Sequence, residues 1–572
     1  MFSNKENINV LTSLMCLHGV KNVVVCPGSR NAAIVHNLNE CKRMKCYPVT
    51  DERSAGFYAM GMILATGEPV AVCVTSGTAL LNLAPVVAEA WYQHLPLVVI
   101  SADRPQAWIG QQDGQTIMQT GALDRFVKCS VSLPEPHNEE EHWYCNRLVN
   151  EALVKMKRNG GGPVHINVPI SEPLFEFKVK KLTSERKISY IPATINTEKV
   201  SRDMMNDFFA AKRPIIVIGQ LPYRKDTKEL ISILETYAVV LRESLSPFDS
   251  VVPFDEALYE VSYDIERGPE FVPDFILYLG GTLVSKHIKN FLRQAKNAVC
   301  WTVSEDGDMH DTFMNLTGVI EADPYDVLSL LNNSILDGGK SDDTDASQIK
   351  LNLSVGFKSQ WSDFIDMALL NIKDYSPEYS EMMAVEEFEW QLVNVDYDYK
   401  VHYANSMPVR LGNIYTNHYI YVNRGVNGIE GSLSTAAGFS VVSEDIIFCV
   451  IGDLSFFYDQ NALWNQNLGA NFRILLLNNS GGGIFHQMKG IKDSNVCDTM
   501  VAGSHQTNAL GICEANNIDY MCAHNKEELE NEMFTFLNVG TGRPLLFEVF
   551  TDADKDAIVY KKYYENMEKY RD

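Results

Sequence analysis

At 572 residues the chain is too long for one ordinary core and accommodates about three domains. A formal charge of -24 opposes general binding to nucleic acid or to an anionic membrane, both of which need a positive field. An apolar content of 46% with 10% aromatics excludes a disordered or fibrous chain.

The start, MFSNKENIN, lacks the basic-then-apolar layout of a secretory signal, and no apolar run reaches the roughly 18 residues of a spanning helix. A cytoplasmic protein with no membrane span and no nucleic-acid partner is expected. The 12 cysteines are scattered, mostly in apolar runs such as VVVCPG and IIFCVIGD, without metal spacing. They read as small core residues.

Along the first 100 residues, short β-branched runs alternate with helical patterns. NVVVC precedes a helix from Asn31, YPVT one from Glu52 and VAVCVT one near Thr78, with LVVIS closing the series. This rhythm predicts a parallel sheet covered on both faces. A linker-like segment follows at 179–200. A second α/β unit is predicted from RPIIVIGQ (213–220), FILYLGG (275–281) and AVCWTVS (298–304), and a polar connection rich in glycine and acid from 337–348. A third unit carries HYIYVNRG (418–425), IIFCVIGD (446–453), NFRILLLNN (471–479) and PLLFEVF (544–550). The expected fold class is α/β, with mainly parallel sheets flanked by helices in three domains at 1–185, 186–348 and 349–572. No short-period repeat or low-complexity tract is visible.

In open α/β sheets ligands bind beyond the carboxyl ends of strands. Two apolar runs stop there in a telling way, at Gly452-Asp453 and at Asn478-Asn479 with three glycines close behind. Either alone is an ordinary turn former. Together they offer a carboxylate at Asp453, an amide oxygen at Asn479 and a backbone carbonyl that the glycines after it allow to turn inward. Such oxygens suit Mg²⁺ completed by phosphate oxygens and water. Gly452 allows close backbone approach, and the Ser455 hydroxyl and nearby amides suit the phosphates. In the first unit, Asp51 reads as an N-cap and Glu52 as a first-turn acid favoured by the helix dipole.

The stretches VVVCPGSRNAAI (23–34), TDERSAGFYAMG (50–61), VTSGTALLNLAPVVAEA (74–90), SADRP (101–105), NRGVNGIEGSLSTAAG (423–438), GDLSFFYDQNAL (452–463) and NNSGGGIF (478–485) closely resemble the MenD family of thiamine diphosphate enzymes, the 2-succinyl-5-enolpyruvyl-6-hydroxy-3-cyclohexene-1-carboxylate synthases. The resemblance is strong in the first quarter and last third, and in the middle rests mainly on GGTLVSKH (280–287). It implies the thiamine diphosphate-binding fold, with a pyrimidine-binding, a central and a diphosphate-binding domain. It also implies a homodimer or tetramer with interfacial active sites, and decarboxylation of 2-oxoglutarate followed by conjugate addition to isochorismate.

By the same resemblance Glu52 is the catalytic acid on the aminopyrimidine, promoting its imino form. Asp453, Asn479 and the Gly481 carbonyl hold Mg²⁺, with Mn²⁺ as a substitute. Gly452, Leu454 and Ser455 line the cofactor, and Leu454 is usual in this family although most thiamine enzymes carry glycine there. Ile429 is the apolar wedge that bends the cofactor. Ser29, Arg30, Arg104, Gln115, Lys286, Ser406, Arg410 and Arg424 bind substrate, and Ile484 and Phe485 wall the pocket. The arginines have a logic of their own, since an acidic protein holds dicarboxylates where guanidinium forks offer bidentate bonds. His94, His287 and His486 receive no catalytic role, His287 standing where some members carry arginine. The tyrosine-rich C-terminus reads as an amphipathic closing helix. The competing readings are another thiamine 2-oxoacid decarboxylase or acetolactate-type synthase, and a silent scaffold of the same fold.

Overall fold

Most of the apolar runs become strands nearly where they stand, because β-branched residues buried on both faces suit a parallel sheet. The computed structural model describes all residues except 226, 228, 248–251, 262–268, 339–354, 541 and 571–572. The first sheet comprises β1 (Asn22–Val25), β2 (Lys45–Pro48), β3 (Val70–Val74), β4 (Leu97–Asp103), β5 (Cys129–Ser132) and β6 (Val164–Pro169). The central sheet comprises β7 (Pro214–Ile218), β8 (Val239–Arg242), β9 (Phe275–Leu279), β10 (Val299–Ser304) and β11 (Leu316–Glu321). The third comprises β12 (Tyr399–Tyr403), β13 (Ile420–Tyr421), β14 (Ile446–Gly452), β15 (Phe472–Asn478), β16 (Asp519–Ala523) and β17 (Leu545–Phe550).

The neighbouring strands of all three sheets pair in parallel. The first sheet is ordered β2-β1-β3-β4-β6-β5 and the third β13-β12-β14-β15-β17-β16, the same order in different sequence. The central sheet runs β11-β10-β9-β7-β8.

The first and third units dock through equivalent helices, Glu52–Thr66 after β2 and Ser432–Ser440 after β13. Their backbones touch. A Cβ on Gly61 would stand 2.0 Å from the Thr435 carbonyl oxygen, and one on Gly438 2.2 Å from that of Tyr58. One apolar core joins both units through Phe57, Tyr58, Leu433 and Phe456.

The third unit departs from the expected strands at β16, which no expected run covers, and at the neighbouring strands β12 and β13. Of 418–425 only Ile420 and Tyr421 pair, whereas the unpredicted β12 forms from the polar-looking YKVHY. Its His402 is buried and stacked on Tyr421 at 4.9 Å, and burial pushes its imidazole down to about 3, so it sits in the core as a neutral ring. The segment at 179–200 is largely irregular until the short helix Thr197–Val200. It is tied to the helix Glu139–Lys155 by Asn146 on Glu185 and Asn150 on the Arg186 carbonyl. Of the connection expected at 337–348, residues 339–348 lie outside the described residues. The 12 cysteines are free thiols, mostly buried. Among the described residues no helix is long and apolar enough to cross a membrane.

Candidate functional site

Asp51 caps the helix Glu52–Thr66, its Oδ1 accepting the Ser54 amide at 3.0 Å. The residues flanking Glu52 reach into the third unit of the same chain. Asn461 donates to Asp51 Oδ2 at 2.7 Å, and Arg53 donates to the Tyr458 carbonyl at 2.7 Å. Glu52 instead faces the turns after β3, where Asn82 Nδ2 lies 3.5 Å from its Oε2. Burial, reinforced by Asp51, pushes the Glu52 carboxyl above the ordinary carboxylate range against its own backbone amide. A carboxyl whose proton affinity is raised by burial suits sharing a proton with a ring nitrogen.

At the other end, β14 stops at Gly452 and Asp453 opens the helix Asp453–Asp459. Asp453 is buried. Its Oδ1 accepts the Leu454 amide at 2.6 Å and its Oδ2 the Gly481 amide at 2.9 Å, so the ends of β14 and β15 are joined through this one carboxylate. Burial pushes the group to about 6, opposed by His505 and the two amides.

The two asparagines after β15 divide the work. Asn478 is structural, its Nδ2 donating to Glu548 at 2.7 Å and to the Thr507 carbonyl at 3.0 Å. Asn479 donates its Nδ2 to Glu381 Oε1 at 2.6 Å and to Asp556 Oδ2 at 3.3 Å. With the amide nitrogen fixed on two carboxylates, the amide oxygen must face the other way. Gly483 is required here, because a Cβ would stand 2.4 Å from Asn479 Nδ2. The Gly481 carbonyl accepts the Gly483 amide at 3.1 Å and keeps a second lone pair. A Cβ on Gly452 would meet nothing within 4 Å, which leaves open space beside the strand end. Ser455 is buried in the first turn behind it, and Leu454 half-buried.

This donor set fits a hard divalent cation. It offers oxygen atoms only, and three carboxylates, Asp453, Glu381 and Asp556, crowd one buried place. Burial and the mutual repulsion of the acids push Glu381 well up, and burial holds Asp556 at about 6. Glu381, Asp556 and His505 were not singled out from sequence. Glu381 and Asp556 sit in first helical turns after the caps Ser380 and Asp552, where an acid has an ordinary reason to be. His505 Nδ1 accepts the Thr507 amide at 3.1 Å, which leaves the proton on Nε2, 3.2 Å from Asp453 Oδ2.

The expected substrate residues fall into groups. Arg30 is buried, donates to the Ile170 carbonyl at 3.1 Å and pairs with Glu172 at 3.2 Å, while Ser29 is exposed. Arg104 pairs with Asp113 at 3.0 Å and donates to the Gly114 carbonyl at 3.1 Å, beside the exposed Gln115 with φ 56°. On the third unit, Ser406 (φ 76°) precedes the helix Met407–Tyr415 that carries Arg410. Arg424 donates to Asn405 at 3.1 Å and to the Leu283 carbonyl at 3.3 Å, and burial lowers its pKa although Glu243 opposes this. Arg410 lines a cavity between the central and third units with Arg242, Glu243, Ser285, Tyr560 and Tyr564. The C-terminal helix Ala553–Glu565 thus closes the fold as expected but also reaches a cavity, which tyrosine periodicity alone does not reveal.

Lys286 is exposed at the start of the helix Lys286–Leu292, and His287 lies 3.4 Å from Asp255. Ile429 is exposed, while Ile484 and Phe485 sit half-buried in the turn Gly483–Gln487, with Ile484 packed on the third core. His94 faces Asp306 at 3.7 Å, and burial lowers its pKa.

Residues 8–123 match the family model for the thiamine pyrophosphate enzyme N-terminal TPP binding domain. Over essentially their whole length, curated 2-succinyl-5-enolpyruvyl-6-hydroxy-3-cyclohexene-1-carboxylate synthases are similar to the chain. That of Phocaeicola vulgatus is 42% identical over 99% of this chain and 99% of its own. That of Bacteroides thetaiotaomicron is 41% identical over 100% of both, and that of Flavobacterium johnsoniae 31% over 96% of both. The chain belongs to the family of 2-succinyl-5-enolpyruvyl-6-hydroxy-3-cyclohexene-1-carboxylate synthases.

Proposed function

We propose that the protein is a thiamine diphosphate- and Mg²⁺-dependent carboligase that decarboxylates 2-oxoglutarate and joins the remaining succinyl unit to isochorismate by conjugate addition, giving 2-succinyl-5-enolpyruvyl-6-hydroxy-3-cyclohexene-1-carboxylate for menaquinone synthesis. The observation that carries it is end-to-end similarity to the synthases in a chain that retains both Glu52 and the Asp453–Asn479 oxygen pair. When bound, the cofactor supplies a carbon nucleophile and an electron sink.

The chain's own residues do the rest. Asp453, the Asn479 amide oxygen and the Gly481 carbonyl would hold Mg²⁺, or Mn²⁺ in its place, with Gly452, Leu454 and Ser455 against the diphosphate. Glu52, its carboxyl raised by burial, would hold the proton on the aminopyrimidine ring nitrogen. Ile429 would brace the cofactor's fold. Arg30 and Arg104 from the first unit, and Arg410 and Arg424 from the third, would bind the carboxylates of the two substrates, with Ser29, Gln115, Lys286 and Ser406 completing polar contacts. Ile484 and Phe485 would keep water from the reacting carbon.

Glu52 lies beside Asn82 of its own unit, while its neighbours Asp51 and Arg53 bind the third unit of the same chain. This supports a homodimer or tetramer in which Glu52 serves the cation cradle of a second copy. The grouping of the strands into three sheets supports a domain division at 1–185, 186–348 and 349–572, and the free thiols fit a cytoplasmic setting.

The test is product mass spectrometry with Mg²⁺, thiamine diphosphate and 2-oxoglutarate, with and without isochorismate. The adduct is expected only in the complete mixture. Undiminished CO₂ release without isochorismate, or consumption of pyruvate in its place, would overturn the assignment.

A further inference from the structure

Among the described residues, one group of three metal-capable side chains gathers its ligand atoms within 4.8 Å of one another: His486, Cys497 and Asp498. The reaction above uses none of them. His486 lies in the turn Gly483–Gln487 after the glycines, while Cys497 and Asp498 open the turn Cys497–Val501.

The imidazole is oriented from behind. His486 Nδ1 meets Asp554 Oδ1 at 2.8 Å, and its Nε2 is directed toward Asp498 Oδ1 at 3.7 Å. A carboxylate on one ring nitrogen is the usual partner of a histidine whose other nitrogen binds a metal, because it fixes the ring and raises its basicity. Cys497 is buried, while the Asp498 side chain is 70% exposed and opens the group to solvent.

We propose that His486, Cys497 and Asp498 bind a borderline-soft divalent cation of the Zn²⁺ class, at a place separate from the oxygen cradle of Asp453 and Asn479, with Asp554 as the orienting group. The donor set decides the class. One nitrogen, one sulfur and one oxygen suit Zn²⁺ and its spectroscopic substitute Co²⁺, whereas Mg²⁺ takes oxygen. Binding breaks the Cys497 S–H bond, releases its proton to solvent and forms a sulfur–metal bond, with water left in the fourth position.

The site is connected to the cradle by main-chain bonds. The Ala502 amide donates to the Cys497 carbonyl at 2.7 Å, and the Gly482 amide to the Ala502 carbonyl at 2.7 Å. The Ser504 amide donates to the Asp498 carbonyl at 2.9 Å, and the His505 amide to the Ser480 carbonyl at 3.0 Å. An ion fixing Cys497 and Asp498 therefore orders the segment against which the cation-binding glycines rest.

The test is a Co²⁺ titration of the full-length protein saturated with Mg²⁺ and thiamine diphosphate, followed by the near-ultraviolet thiolate-to-cobalt charge-transfer band. About one equivalent per chain is expected. The band should vanish in Cys497→Ser, and Co²⁺ affinity should fall at least about 10-fold in His486→Ala and about 10-fold in Asp554→Asn. If Cys497→Ser does not give native circular dichroism, His486→Ala, altered at a half-buried position, decides. Absence of a thiolate band in the unmodified protein, or a band of unchanged affinity in His486→Ala, overturns the proposal. The readout is independent of turnover.

Discussion

The first and third sheets share one strand order, and equivalent strand ends carry different chemistry. After β1 and after its counterpart β12 comes a serine followed by an arginine, Ser29 with Arg30 and Ser406 with Arg410. After β2 comes an acid, Glu52, whereas after β13 come Arg424 and the apolar Ile429. After β3 comes the glycine turn at Gly77, whereas after β14 comes Asp453. The lesson is that topology fixes where a group can act, and only the side chains decide what acts there. One unit offers an acid of raised pKa and the other a buried set of oxygen donors.

Substitutions can break this division of labour. The largest effect is expected for Glu52→Gln, which should slow hydrogen–deuterium exchange at the cofactor C2, read by NMR, by about 10³-fold while cofactor affinity stays within a few-fold. Near-normal exchange would remove the acid role from the first unit. Asp453→Ala should act in the opposite sense, weakening Mg²⁺-dependent cofactor binding by about 100-fold in calorimetry; unchanged affinity would mean that the cradle lies elsewhere.

The seam between the units can be tested next. Gly61→Val forces a side chain against the Thr435 carbonyl, and a loss of about 1–3 kcal/mol is expected in denaturant unfolding of the seam. An unshifted midpoint would show that the two helices can part freely.

The smallest effect concerns pH. Asp459 is fully buried at this seam, and although the Ser434 amide and hydroxyl bind it, burial pushes its carboxyl up to about 7. Its folded value lies above the unfolded one near 4, so its favourable contribution is complete below about pH 4 and is lost as pH rises through 7. Asp459→Asn should therefore flatten the fall of the melting temperature between those limits. An identical slope in the variant would assign the effect to another group.

Much of this was legible in the chain because it is written locally. Gly-Asp and Asn-Asn announce strand ends by interrupting apolar runs, and Asp51 announces a helix start by capping it. What stayed hidden is assembled through space. Which asparagine of the pair matters follows from Glu381 and Asp556, each far along the chain and each with a local excuse for its position. The strand β12 was masked by lysine, histidine and tyrosine, whose polarity in a sequence window says nothing of the stacking that buries His402. The residues 418–425 erred the other way, since their β-branched and aromatic character comes from lining packed surface beside a two-residue strand.

The anchoring of Asp51 and Arg53 has a practical corollary for engineering. Because both neighbours of Glu52 are fastened to Asn461 and Tyr458, the aim of that carboxyl is steered from a distant stretch of the same polypeptide. Changes at Asn461, or at Tyr458, whose ring also lies 4.3 Å from the Arg53 guanidinium, should then misdirect the Glu52 carboxyl without altering Glu52 itself.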